Sequence, residues 1–234
     1  SIMKNAFKRI NNVLYLIIAL LIASCVNKID DEIKEGNIPI SFSVKTSKTT
    51  TKAAKSTFEI GDRTGVFAML TGNSLDKQRY IDNLLLECGE GSKLIPKKEV
   101  YYPEGDATLD FISYYPYQTA SVSKGSSLLN VAVQTDQSKA ADYSLSNFMT
   151  ARIEDVSNSE KTVKLEYKHQ FAKIKLVLTP KEGEDADDML KANPRIIATR
   201  FKTQAVYDLQ SDKLSDIDDA SEMDIIPFGT WKKE

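Results

Sequence analysis

A single histidine, His169, has to carry any imidazole chemistry in this chain, so a nucleophile relay or a histidine-rich metal site has one position to build on. It falls between two runs that alternate apolar residues, Val163-Leu165-Tyr167 and Ile174-Leu176-Leu178, where an imidazole that satisfies backbone groups is the simplest reading. The carboxylate runs Asp185 to Asp188 and Asp216 to Asp224 offer oxygen ligands of the kind calcium takes. Counted from Asp216, however, position five is Ala220 and position six is Ser221, where the helix-flanked calcium loop needs a ligand and a glycine. Both runs read as solvated loops. The glycines stand singly, and none sits in a G-x-G-x-x-G or G-K-[ST] phosphate cradle. A carboxylate pair for glycoside hydrolysis depends on a spatial proximity that a sequence does not display. No catalytic residue, metal or cofactor is assigned, and the chain does not read as an enzyme.

Six aromatic residues gather at Tyr101, Tyr102, Phe111, Tyr114, Tyr115 and Tyr117. They could stack on a sugar ring, but alternation along β-prone runs points first to core and cross-strand packing. Cys88 follows Leu84, Leu85 and Leu86 and reads as a small buried apolar residue rather than a nucleophile.

The elements that must position these residues are strands. "IPISFSVK" places Ile38, Ile40, Phe42 and Val44 on one face, the period-two pattern of a half-buried strand. The Lys- and Thr-rich stretch that follows it has no apolar period and reads as an exposed loop. Strands are expected near Val66 to Leu70, Leu109 to Tyr115 and Leu128 to Val133. Ile81 to Glu87 fits a strand or a short helix, which periodicity does not separate. In 163–178 the alternation slips near His169 to Ala172, as a bulge or a tight turn between two strands would make it do. The acidic stretch 181–194 reads as a linker with room for one helical turn. Many short strands at spacings of about ten residues, with almost no convincing helix, predict an all-β sandwich. Residues 195–234 return to strand patterning. They are expected to open a second β domain that stays incomplete, with completion of the first domain, 38–180, as the alternative, because roughly 40 residues are too few for an independent core.

At the front, the apolar run Val13 to Ala23 is too short to span a bilayer. With Lys4, Lys8 and Arg9 before it and small residues after it, residues 1–24 have the layout of a signal peptide. Ile22-Ala23-Ser24-Cys25 resembles a bacterial lipobox, which implies cleavage between Ser24 and Cys25 and acylation of the Cys25 thiol, followed by a tether over 25–37. Several acyl chains, each worth about 0.8 kcal/mol per buried methylene, hold a soluble domain at a bilayer. Losing the leader's three cations takes the formal charge from −2 to −5, which leaves no basic footprint for nucleic acid. With Cys25 acylated, Cys88 has no disulfide partner and the fold must hold without one.

Four stretches together resemble the fimbrillin family, the subunits and accessory lipoproteins of type V pili in Bacteroidia. They are the lipobox, "ISFSV" before a lysine-rich loop, "FEIGDRTGVFA", and the pair "LDFISYYPY" and "VKLEYKHQFAKIKLVL". The resemblance implies tandem transthyretin-like Greek-key sandwiches, the second incomplete here. It also implies a lipoprotein of the outer-membrane surface that a protease trims in the loop after its first strand. Here the removable strand would carry Ile38, Ile40, Phe42 and Val44, and the loop Lys45, Lys48, Lys52 and Lys55. The loop departs from the family pattern in having lysine where arginine is usual. No donor strand follows Trp231, and with Met only at position three the chain is expected to be a fragment. The implied partners are other fimbrial subunits through strand exchange, and the membrane through Cys25. The alternative is a surface lipoprotein that does not polymerise and presents Tyr114 or Tyr117 to a host glycan or protein.

Overall fold

Strands form where apolar and polar residues alternate, because successive strand side chains point to opposite faces. The computed structural model describes residues 35–45, 58–120 and 122–233, all within one unit, Glu35–Glu234. In chain order the strands are β1 (Glu35–Pro39), β2 (Phe42–Val44), β3 (Arg63–Leu70), β4 (Ile81–Cys88), β5 (Lys93–Pro96), β6 (Tyr101–Pro103), β7 (Leu109–Tyr115) and β8 (Leu128–Ala132). They continue as β9 (Met149–Val156), β10 (Val163–Leu165), β11 (Lys168–His169), β12 (Ala198–Lys202), β13 (Gln204–Asp208), β14 (Lys213–Asp216) and β15 (Glu222–Ile225). Two short helices, α1 (Ala140–Leu145) and α2 (Ala186–Ala192), interrupt them. The fold is all-β, as the spacing of the strand patterns predicts, and Ile81 to Glu87 takes the strand option.

Eight strands make one sheet in the order β10-β2-β5-β4-β3-β7-β9-β11, antiparallel throughout except between β10 and β2. At its centre β3 and β7 are apolar on both faces and feed two cores. Val66, Ala68, Leu109 and Phe111 enter one core with Ile40, Phe42, Leu94, Val163 and Leu165. Phe67, Met69, Ile112 and Tyr114 enter the other with Leu129, Val131, Phe148, Tyr207 and Leu209. β10 lies against β9, so the sheet curls round the first core. A three-stranded sheet, β14-β13-β8, covers the second.

Two expectations are corrected here. The run Ile174 to Leu178 is not a strand: the chain leaves the sheet after His169, Phe171 turns into the second core, and Ile174 is 66% exposed. Apolar alternation becomes a strand only where a neighbour completes its backbone hydrogen bonds, and no strand is laid beside this run among the described residues. Nor does the segment from 195 onward stand as a separate domain. β13 pairs with β8 from Gln204↔Ala132 to Asp208↔Leu128, and Tyr207 and Leu209 are buried in the second core. Further on, Ile226 N donates to Thr135 O, and Phe228 stacks on Tyr143. The stretch read as a linker is the crossover that brings these strands back, with α2 capped by the Asp185 side chain.

Because Tyr207 closes the same core that β3 and β7 line, Tyr207→Ala is expected to cost about 3–5 kcal/mol in urea unfolding of the whole protein. A single transition shifted to lower urea is the expected result; an unchanged midpoint would mean that the tail folds apart.

Candidate functional site

β2 is inlaid rather than laid along an edge. On one side it pairs antiparallel with β5, Phe42 opposite Leu94 and Ser43 opposite Lys93. On the other it pairs parallel with β10, in the register Val163↔Phe42, Lys164↔Ser43 and Leu165↔Val44. Backbone bonds from Val163 N to Ser41 O and from Lys45 N to Leu165 O, both 2.8 Å, extend that parallel ladder at each end. Ile40, Phe42 and Val44 are all buried, and Phe42 meets Phe111 edge to face at 5.8 Å between ring centroids.

The expected four-residue face is corrected at its first member. Ile38 is 46% exposed, because it belongs to β1, which pairs with β6 in a separate two-stranded ladder. The change of sheet comes just beyond β1: Ile40 N still donates to Val100 O, in register with the Pro39–Tyr101 pair, and from Phe42 onward the chain lies between β5 and β10.

Of the loop lysines, Lys45 is tied down. Its Nζ lies 2.8 Å from Glu166 Oε2, and the hydrogen bond and charge of Lys45 hold the Glu166 carboxyl below the usual carboxylate range. Lys48, Lys52 and Lys55 lie outside the described residues, as do Ser24 and Cys25.

The other singled-out residues separate in space. His169 Nδ1 contacts the Asn147 side-chain oxygen at 2.6 Å rather than a backbone group, and burial together with Lys173 holds its pKa below the ordinary value. Cys88 is buried, which pushes its thiol up. Tyr102, Phe111, Tyr114 and Tyr115 are core residues, whereas Tyr101 and Tyr117 keep part of their surface in solvent. The pairing of β2 with its two flanks has no sequence signal: "KLIP" at β5 is too short to stand out, and β10, legible as a strand, gives no local sign that its parallel partner lies more than a hundred residues away.

The geometry defines an all-β sandwich whose second strand, β2, is held between two later ones. The fimbrillin-like family model matches residues 51–231. Over 162 residues the chain is 25% identical to Fim1C, named as a candidate fimbrium subunit of Bacteroides uniformis, with 68% of this chain and 51% of that protein covered. This chain thus spans about half the length of that curated relative. Two solved structures of candidate cell adhesion proteins share the fold. One, from Bacteroides uniformis, has a TM-score of 0.62 at 17% identity and covers 81% of this chain and 70% of its own. The other, from Bacteroides ovatus, has a TM-score of 0.53 at 13% identity, covering 82% and 72%. The chain belongs to the fimbrillin-like family, as the four stretches quoted above imply.

The ion pair and the ladder bond at Lys45 already engage the side chain and the backbone N–H that a protease must reach. Limited trypsin digestion followed by mass spectrometry should therefore cut the bond after Lys45 slowly. Glu166→Gln should speed that cut up to about fivefold, the scale of an exposed ion pair; equal rates in the two proteins would contradict the protection.

Proposed function

We propose that this chain is a structural component of a surface fimbria. In this reading it is exported as a lipoprotein through Cys25 to the outer-membrane surface, is trimmed in the lysine-rich loop after Val44, and assembles by β-strand exchange. Family membership supports the fimbrial role. The observation that carries the exchange is the position of β2, which is buried in a core and hydrogen-bonded on both edges by β5 and β10.

Burying Ile40, Phe42 and Val44 is worth roughly 1.5–3 kcal/mol each, together roughly 5–9 kcal/mol as an upper estimate. A whole domain is stable by only about 5–15 kcal/mol. Once β2 leaves, the slot between β5 and β10 holds apolar pockets and unpaired N–H and C=O groups, and a strand from a neighbouring subunit answers both needs. Its apolar residues need the period of two set by Ile40, Phe42 and Val44. Lys45 is the cut position least suited to the role, so the trimming belongs to the later lysines of the loop.

The test replaces part of 46–56 with a site for a specific protease, cuts the chain and separates its first strand in mild denaturant. The trimmed protein should form assemblies that grow with concentration in size-exclusion chromatography, and excess peptide IPISFSVK should return it to a monomer. A peptide with alanine in place of Phe42 should be at least about tenfold weaker. A trimmed protein that stays monomeric and ignores the peptide would overturn strand exchange.

A further inference from the structure

On the far side of β3 and β7 from β2, a cleft of about 540 Å³ opens where the turn after β7 meets β8 and β13. Its size falls in the roughly 300–1,000 Å³ range of small-molecule sites. More than a quarter of the chain is charged, yet none of the twelve lining residues is. The polar wall is four carboxamides, Gln118, Asn130, Gln134 and Gln204, and one phenol, Tyr117; Val131 and Phe148 form an apolar floor. We propose that this cleft binds a neutral saccharide.

Each carboxamide offers two N–H donors and a carbonyl acceptor, the mixed set that a ring of hydroxyls requires, since every hydroxyl both donates and accepts. A phosphate, sulfate or carboxylate ligand would meet no cation here. An apolar ligand would leave the amides of Asn130, Gln134 and Gln204 to be desolvated without partners, at a cost it could not return. The partly exposed ring of Tyr117 supplies an apolar face for the C–H side of a sugar. Among the described residues no hydrogen bond within the protein engages the side chains of Asn130, Gln134 or Gln204, so their polar atoms are free for a ligand.

The wall is also held in place. Tyr117 N donates to Arg63 O at 2.9 Å, and Gln118 N donates to the Tyr114 hydroxyl. The Gln118 carbonyl accepts from Asn83 Nδ2 at 2.9 Å. A peptide strand fits less well, although β8 is an edge of its sheet. The Asn130 carbonyl is already taken by Gln118 Nε2 at 3.0 Å, and Gln134 N is taken by Ser146 Oγ at 2.9 Å. The ladder bonds an incoming strand would make are in part occupied.

The test is retention of the full chain on a printed array of neutral, sialylated and sulfated oligosaccharides, with hits confirmed by saturation-transfer-difference NMR and with the uncharged peptide TVTVTVT as a strand control. The expected result is retention by neutral saccharides, lowered about tenfold in Tyr117→Ala and in Gln204→Ala at unchanged melting temperature. Gln204 is exposed, so its variant keeps the test valid if loss of Tyr117 disturbs the turn. Retention only by acidic glycans or only by the peptide would overturn the proposal, as would no retention at all or retention that neither variant alters. None of these outcomes bears on strand exchange, which concerns the other core.

Discussion

Every other element follows from one constraint: β3 and β7 are apolar on both faces. From Thr64 to Met69 no residue of β3 keeps appreciable surface in water, and β7 is buried at every position but Asp110. A sheet buried on both faces needs a cover on each. On one side the sheet covers itself by curling β5, β2 and β10 back over β3 and β7; on the other the cover is β8 with β13 and β14. The second cover explains why the chain must come back from beyond the acidic crossover, since β8 by itself is too narrow to shield Phe67, Met69, Ile112 and Tyr114.

Packing at the centre leaves few places for polar groups, and most of those present are paired; the buried Thr64 hydroxyl on β3 is the exception among the described residues. Ser113 spends its single hydroxyl proton on Gly65 O at 2.8 Å, so at the 2.6 Å contact with Tyr167 it is the tyrosine that donates. Burial raises the Tyr167 hydroxyl to about 12, which keeps it protonated and able to donate at any physiological pH. Gly65 stands where a methyl group would run into the Tyr114 ring, so the glycine and the tyrosine are chosen together. Arg79, almost wholly buried, donates to the carbonyls of Leu75, Val122, Ser123 and Ser126 and lies over the Phe67 ring, tying the loop after 121 to the second core.

Much of this was legible where pattern and burial share a cause. β3, β7 and β10 were visible as strands, and the aromatic run from Tyr102 to Tyr115 as core, because their side chains alternate or crowd in ways only a sheet interior rewards. The failures have a common source in pairing. Nothing within Ile174 to Leu178 tells whether a neighbouring strand will be present, and nothing within 204–209 tells which strand it will join. Ile38 misled for a local reason, since between Ile40 and Phe42 the chain passes from one ladder to another without disturbing the alternation. The carboxamide cleft had no linear signal, as its walls come from five segments between 116 and 217.

The same two-faced layer separates what happens on its two sides. Among the described residues β10 has β2 as its only neighbour in the sheet, so removal of β2 frees one edge of β5 and one of β10 while leaving the β3–β7–β9 ladders untouched. The side chains that would then see water point into the first core, away from Val131 and Phe148 at the floor of the cleft. Close-packed interiors transmit strain where side chains interlock, but β3 and β7 are held on both edges by antiparallel ladders, which resist being displaced toward either face. Loss of β2 from one core would leave the walls of the carboxamide cleft in register over the other. The strand exchange and the saccharide binding proposed above therefore draw on different residues.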